Sequence, residues 1–398
     1  MAHLSDRVNR ISESQTIAMA RKSRELKARG IDIISLSLGE PDFATPQIIK
    51  DAAKKAIDDN FSYYTHVSGY VELREAICKK FKRDNGLEYT ADEIVVSTGA
   101  KQSIANAVLC LINPSDEVII PAPFWVSYLE ILKLAEGTPK IINTSITADF
   151  KITPQQLEKA ISPKTKLIMI STPCNPTGSV YSKDELNALA EVVAKHDELY
   201  ILSDEIYEHI NFSGGHQSFA QFDFIKDRVI TINGVSKGFA MTGWRGGIMA
   251  APKWIAQACD KMQGQFTSAT SSITQKAMHK AMELDYETYI KPMRDAFLKR
   301  RDLVLELMKD IPGLKTNTPQ GAFYVYPEVS YYFGKKYKDY TINNATDLTL
   351  FLLDEGHLAL VPGAAFGDDT YVRFSYATSE ENLREALKRM KDALSKLQ

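Results

Sequence analysis

The stretch VITINGVSKGFAMTGWRGG, Val229 to Gly247, decides how the chain is read. It opens as a short apolar run, Val229-Ile230-Thr231-Ile232, of the kind that forms a strand buried on both faces. It then breaks into Asn233-Gly234-Val235-Ser236-Lys237, followed by Gly238, Phe239, Met241, Gly243, Trp244 and Arg245. A lysine in that apolar, glycine-rich setting is expected to have a lowered pKa, and a neutral amine can attack a carbonyl. Lysines are ordinarily solvated, so the weight of Lys237 depends on what gathers around it.

Four further runs have the same character: Ile94-Val95-Val96, Glu117-Val118-Ile119-Ile120, Leu167-Ile168-Met169-Ile170 and Tyr200-Ile201-Leu202. Helix-like stretches separate them, among them Ser182 to His196 with Leu186, Leu189, Ala190 and Val193 on one face. Strand alternating with helix implies an α/β fold with a largely parallel sheet. Ligands of such sheets sit beyond the carboxyl ends of the strands, so the residues after each run carry the chemistry.

Gly99-Ala100-Lys101 follows the first of these runs and leads into a helix-like segment from Ser103 to Leu111; it reads as a phosphate-holding helix start or as an ordinary turn. Trp125 after the second run reads as core or as a flat face for a planar ligand. Asn175, in Ser171-Thr172-Pro173-Cys174-Asn175-Pro176-Thr177-Gly178, reads as an Asx turn or as an amide donor. Asp204, in Asp204-Glu205-Ile206-Tyr207, is costly at the end of a buried strand unless a cation pairs with it. Each has an ordinary structural reading. Together they describe one ligand, pyridoxal phosphate, which needs a phosphate cradle, a stacking face, an amide donor, an acid for a cationic ring nitrogen and a reactive lysine.

The end of the chain reads differently. From Pro292 to Ile311 the residues Met293, Phe297, Val304, Met308 and Ile311 follow helical spacing, and Pro312-Gly313 ends the run. Short strands are expected at Phe323 to Tyr326 and Tyr371 to Ser375. Thr378 with Glu381 is expected to form a capping box for a last helix carrying Leu383, Leu387, Met390 and Leu394. This suits a smaller α+β unit joined through a long helix.

Composition narrows the remaining classes. With 398 residues there is room for more than one domain, and 48 Lys and Arg against 50 Asp and Glu leave no broad basic field for nucleic acid. No apolar run approaches the length of a spanning helix, and Met1 to Arg10 lacks the apolar stretch of a leader, so a cytoplasmic protein without a membrane partner is expected. Cys78, Cys110, Cys174 and Cys259 lie far apart with no histidine at ligand spacing, which argues against a metal site or a disulfide framework.

At Ser236-Lys237 through Met241, Gly243-Trp244-Arg245, Gly247, Asn175 to Gly178 and Asp204 to Tyr207, the sequence resembles the class I aminotransferases of pyridoxal-phosphate fold type I. Within them it looks like the bacterial aspartate aminotransferase branch, some members of which also use prephenate. The likeness runs from Leu38-Gly39-Glu40-Pro41-Asp42-Phe43 to Val372-Arg373-Phe374-Ser375-Tyr376. It implies a large cofactor domain, residues 48–290, with a mostly parallel seven-stranded sheet between helices. It also implies a smaller domain from residues 1–47 and 291–398.

By the same resemblance, Lys237 carries the cofactor and moves the substrate Cα proton, and Asp204 pairs with the ring nitrogen. Tyr207 and Asn175 hold the phenolic oxygen, and Trp125 lies against the ring. Ser236, Arg245 and the backbone at Ala100 and Lys101 hold the phosphate, joined by Tyr64 from a second subunit, which implies a homodimer with shared active sites. Arg373 clamps the substrate α-carboxylate near the backbone of Gly39, whereas read simply as a strand residue it would lie on the surface. Trp125 and Asn175 also border the substrate.

The resemblance implies exchange of the amino group between L-aspartate and 2-oxoglutarate. Other family members bind the distal carboxylate with an arginine of the partner subunit, but Lys261 to Lys276 contains none. The branch resembled here uses a lysine after the phosphate turn with hydroxyls of the N-terminal segment, which points to Lys101, Ser14 and Thr16, with Arg10 as the next candidate. Prephenate-using relatives often have a lysine where this chain has Ser12. The competing readings are a relative acting on aromatic or other amino acids or on prephenate, a Cβ–Sγ lyase, and a non-catalytic sensor of the type fused to DNA-binding regulators. The last would need a helix-turn-helix segment.

Overall fold

The structure is a computed structural model that describes residues 4–398. Residues 1–3, where the stretch read for a leader begins, lie outside the described residues. The five expected strands form, together with two more: β1 Ile94–Thr98, β2 Glu117–Ala122, β3 Thr138–Asn143, β4 Thr165–Ser171, β5 Tyr200–Asp204, β6 Val229–Gly234 and β7 Gly246–Ala250. They make one sheet in the order β1-β7-β6-β5-β4-β2-β3. Only β7 runs against the others, pairing antiparallel with both β1 and β6. The carboxyl ends of the other six strands therefore share one edge.

Successive residues of the apolar runs alternate between the two faces of the sheet. Ile94, Val96, Ile168, Ile170 and Ile201 pack into one face, and Val95, Leu167, Met169, Leu202 and Ile230 into the other. Burial on both faces is why these strands read as continuous apolar runs. The two strands without such a run have physical reasons for lacking one. β3 is an edge strand with mostly exposed side chains. β7 begins with Gly246-Gly247, and a Cβ at Gly247 would stand 2.3 Å from the carbonyl carbon of Gly99. The turn after β1 packs directly on this strand, so only glycine fits.

The helix between β4 and β5 spans Lys183–Ala194 and starts at a capping box between Ser182 and Glu185. The helix after β1 spans Ala100–Leu111, three residues longer at its start than the spacing predicts. Gly99 caps it at φ +84°.

A second core forms around the helix Lys291–Met308, through Met293, Phe297, Val304 and Met308. Ile311 is buried just beyond the end of that helix. A three-stranded antiparallel sheet joins it, with Val372–Ser375 between Val361–Pro362 and Tyr324–Val325. The residues Ile34–Ser35 pair in parallel with Leu358–Ala359, which ties the start of the chain to its end. Ile206, Tyr207 and Ile210, just past β5, are part of this second core. The last helix, Glu380–Leu394, buries the expected stripe Leu383, Leu387, Met390 and Leu394. Its cap differs from the expected one. Ser379 accepts from the Asn382 N–H, while Thr378 instead accepts from the Asn382 side-chain amide. The hydroxyl at the position where the backbone turns extended takes the cap, whatever the Thr378–Glu381 spacing suggests.

Candidate active site

A cavity of about 380 Å³ opens at the carboxyl edge of the sheet, between it and the second core. Residues after five strands and from both chain ends meet there: Ala100, Lys101, Trp125, Asn175, Asp204, Tyr207, Ser236, Lys237 and Arg245 with Ser14, Thr16, Gly39 and Arg373. Of the residues singled out from the sequence, Tyr64 stands outside it, 97% exposed, and so does the reserve candidate Arg10.

Lys237 sits in the turn after β6 with its ammonium 5.6 Å from the Tyr207 ring centre, donating to the Gly39 carbonyl. Burial, and then the nearby Arg373, lower its pKa to about 8. Asp204 ends β5, buried, and accepts from the Tyr128 hydroxyl at 2.7 Å and the Ile206 N–H at 3.3 Å. Burial pushes its carboxyl up to about 6. The Tyr207 hydroxyl pairs with that of Tyr324 at 2.7 Å.

Arg373, read from its strand alone as a surface residue, is only 2% exposed. It donates to Asn175 Oδ1 at 3.0 Å and to the Ser37 carbonyl at 2.6 Å. Its Nε has no partner, and the guanidinium stacks 4.5 Å from the Tyr324 ring centre. Arg245 adopts a left-handed backbone at φ +58° and lies against Gly99, where a Cβ would stand 2.2 Å from its Nη2. The first N–H groups of the helix Ala100–Leu111 precede its first internal hydrogen bond and point to an outside acceptor. Lys101 places its ammonium 5.0 Å from the Trp125 ring centre.

The electrostatics of the cavity are one-sided. Lys101, Lys237, Arg245 and Arg373 all line it, and the hydrogen bonds of the last three end on neutral carbonyl oxygens. Among the described residues none of the four is in an ion pair. Asp204 and Glu40 are the acids that line it. Burial lowers the pKa of Lys101, with Arg245 adding to the effect, and burial likewise lowers that of Arg373. Such a cavity is built for an anionic ligand of more than one charge. The phosphate and phenolic oxygen of pyridoxal phosphate and the carboxylates of an amino acid fit the donors present, its cationic ring nitrogen fits the acceptor Asp204, and its carbonyl fits the amine of Lys237. Two hydroxyls lining it are unspent among the described residues: Ser14 starts the helix Gln15–Ala28 without capping it, and Thr16 Oγ1 has no partner. Arg10 is engaged elsewhere, with Glu136 at 3.0 Å.

Tyr128 and Tyr324 were not anticipated from the sequence. Tyr128 follows Trp125 by three residues and is buried, and a buried tyrosine needs a partner for its hydroxyl, so its spacing held a usable signal. Tyr324 had none, because its partner Tyr207 is distant in sequence. Among the described residues no group of three or more His, Cys, Asp or Glu is placed to hold a metal.

The family model described as aminotransferase class I and II matches residues 31–390. A bifunctional aspartate aminotransferase and glutamate/aspartate-prephenate aminotransferase of Petunia hybrida is 47% identical over 98% of this chain and 82% of its own length. An aspartate/prephenate aminotransferase of Cereibacter sphaeroides is 46% identical over 98% of each chain. Among solved structures, an aspartate aminotransferase of Rhizobium meliloti superposes with a TM-score of 0.96 at 39% identity, covering 100% of both chains. That of Thermus thermophilus with maleate gives 0.93 at 38% identity over 99% of this chain and 100% of the other. Sheet order, family match and near-complete superposition agree on the fold type I architecture, and the chain belongs to the class I and II aminotransferases.

Proposed function

We propose that this aminotransferase uses pyridoxal 5'-phosphate to move the amino group of L-aspartate to 2-oxoglutarate, giving oxaloacetate and L-glutamate in a ping-pong sequence. The observation that carries the reading is that Lys101, Lys237, Arg245 and Arg373, four cations in no ion pair among the described residues, gather with Asp204 in one cavity. When bound, the cofactor supplies a carbonyl that condenses with amines and a ring that takes up negative charge as the substrate Cα loses its proton.

The chain's own residues do the rest. Lys237, its pKa lowered to about 8, anchors the cofactor and then takes and returns the Cα proton, a task that needs a pKa near working pH. Asp204 holds the proton on the ring nitrogen. Tyr207 and Asn175 bond the phenolic oxygen, and Trp125 covers the ring. Ser236, Arg245 and the N–H groups of Ala100 and Lys101 hold the phosphate. Arg373 takes the α-carboxylate beside Gly39, its free Nε supporting a second bond in a fork. Lys101 with Ser14 and Thr16 takes the distal carboxylate. The unspent hydroxyls and the maleate in the Thermus thermophilus relative both favour a dicarboxylate.

We divide the chain into a cofactor domain of residues 48–290 and a second domain from residues 1–47 and 291–398, a division supported by the separate cores. Tyr63 and Tyr64 are 77% and 97% exposed, which supports a homodimer in which each Tyr64 reaches the other subunit's phosphate. The four free cysteines favour a reducing compartment, the cytoplasm. The test is a pair of half-reactions: aspartate against alanine, phenylalanine and cysteine-derived donors, then a panel of oxo acids, with the cofactor spectrum followed. Preference for alanine or phenylalanine, or release of a thiol, would replace the aspartate reading.

A second reading rests on the relatives whose names include prephenate. Prephenate belongs in the acceptor panel for that reason. At the position in question Ser12 uses its backbone N–H to bind Glu130 at 2.7 Å, and Arg10, the nearest cation in sequence, is paired, so slower use of prephenate than of 2-oxoglutarate is expected.

A further inference from the structure

Residues 61–70, FSYYTHVSGY, form no helix or strand, and Tyr63 and Tyr64 stand almost fully exposed at their apex. Exposed aromatic side chains on irregular backbone are ordinarily mobile. Here the flanks are bolted down by two glutamines with no solvent exposure. Gln275 accepts the Tyr70 N–H at 2.8 Å and donates to Thr65 Oγ1 at 3.0 Å and to the Thr270 carbonyl at 2.7 Å. Gln263 donates to the Val67 and Val96 carbonyls, both at 2.9 Å, and accepts from Asn106 at 3.1 Å.

Both amides are thus saturated, with every N–H and each carbonyl used. On the other flank Ser272 bonds the Phe61 carbonyl, and the Lys276 ammonium lies 4.2 Å and 4.4 Å from the ring centres of Phe61 and Tyr70. Gly69 has φ +99° and allows this closeness, since a Cβ there would meet Gln275 Oε1 and Val96 at 3.1 Å. Burying a polar amide is unfavourable unless all its groups are bonded, so a loop fixed by two such amides is held in one conformation.

We propose that Gln275, seconded by Gln263, is a positioning residue for Tyr64: it fixes the backbone beside that tyrosine so that its hydroxyl meets the partner subunit's bound phosphate without an ordering cost. The closest link is the bond to the side-chain hydroxyl of Thr65, the immediate neighbour of Tyr64, and that hydroxyl in turn donates to the His66 carbonyl at 3.0 Å, which ties it to the backbone. A donor held in place before binding gives a tighter complex than the same donor on a mobile loop. The inference rests on the reading that Tyr64 acts across a homodimer.

The test is a double-mutant cycle on the purified full-length protein, measuring the dissociation constant of pyridoxal 5'-phosphate from the apoenzyme, with the oligomeric state checked by sedimentation. Tyr64→Phe removes a hydrogen bond to a charged group and is expected to raise the Kd about 10–100-fold. Gln275→Leu and the milder Thr65→Val, which keeps side-chain shape, are each expected to raise it about 5–20-fold. Combined with Tyr64→Phe, neither is expected to add more than a factor of about two, because the tyrosine they orient is no longer a donor. Should Gln275→Leu fail to fold, Thr65→Val carries the same cycle. Effects that multiply in the double variants, or Thr65→Val and Gln275→Leu with unchanged Kd, would overturn the positioning role while leaving Tyr64 in place. An unchanged Kd in Tyr64→Phe itself would overturn the role of Tyr64 across the dimer, and the positioning role with it.

Discussion

The Tyr128 hydroxyl donates a 2.7 Å hydrogen bond to Oδ2 of Asp204, with both side chains buried. Burial is what pushes the Asp204 carboxyl up to about 6, and this bond opposes the shift. Tyr128→Phe is therefore expected to raise it further in the cofactor-free protein, where no cationic ring nitrogen faces it. Capturing that nitrogen then requires the carboxyl to give up a proton, so the Kd of pyridoxal 5'-phosphate for the apoenzyme should rise about 10-fold at pH 7 and the defect should shrink toward pH 8. Kd measured against pH for variant and wild type decides it, and superimposable curves would remove Tyr128 from any role at the site.

Lys237→Ala should keep the cofactor through its phosphate and ring contacts while losing covalent attachment and the Cα proton transfer. The acid–base loss alone is worth about 10²–10⁴ in rate. Cofactor content after dialysis, the absorption band of the attached form and turnover are the measurements. A variant that retained both the band and turnover would move the attachment site elsewhere.

The lowered pKa of Lys237 has a cost for folding. In the folded apoenzyme its ammonium ionises at about 8 against 10.5 ordinarily. Between those values the unfolded chain binds more protons, so this group's contribution to stability rises with pH through that window and is lost as pH falls from 10.5 to 8. Lys237→Met should accordingly raise the apoenzyme Tm at pH 7, with the gain shrinking toward pH 10. A gain that is independent of pH would point to packing and not to the buried charge.

Among the described residues Lys101 has no carboxylate partner, and it stands over Trp125 at the cavity. Lys101→Ala is expected to lower kcat/KM for aspartate and glutamate by about 10–150-fold, the worth of a charge-assisted hydrogen bond, and to change alanine or phenylalanine far less. The ratio between donors cancels general damage to the adjoining phosphate turn. An equal fall for all donors would assign Lys101 to the cofactor alone.

Arg373→Ala should damage all donors alike, since every amino acid has an α-carboxylate. A bidentate buried contact of this kind is worth several kcal/mol, about 10³-fold or more in kcat/KM. Arg373→Lys should recover little of it, because an ammonium cannot bond Asn175, the Ser37 carbonyl and a carboxylate in one plane as the guanidinium can. Kinetics with aspartate and with alanine check both variants, and a selective loss for aspartate would assign Arg373 to the distal carboxylate.

What the sequence determined by itself is local and repetitive. Strands buried on both faces are apolar at nearly every position, so Ile94 to Val96 and Val229 to Ile232 announce themselves. The rule that ligands sit past strand ends then singles out Lys237, Asp204, Asn175 and Trp125 without knowledge of which strand lies beside which. Tertiary structure alone decided the rest. Arg373 sits in a four-residue strand whose pattern is that of any half-exposed strand, and its burial follows from Asn175 and the Ser37 carbonyl arriving from elsewhere in the chain. Gly246-Gly247 looks like a turn until the Gly99 backbone is seen to pack against it. Gln263 and Gln275 lie on helices where glutamine reads as solvated, and what accounts for their burial is largely distant in sequence: a loop some 200 residues away, with Val96 and Asn106 beside Gln263. A polar side chain's partner is set by three-dimensional proximity, and a linear pattern carries the periodicity of an element but not the identity of its neighbour.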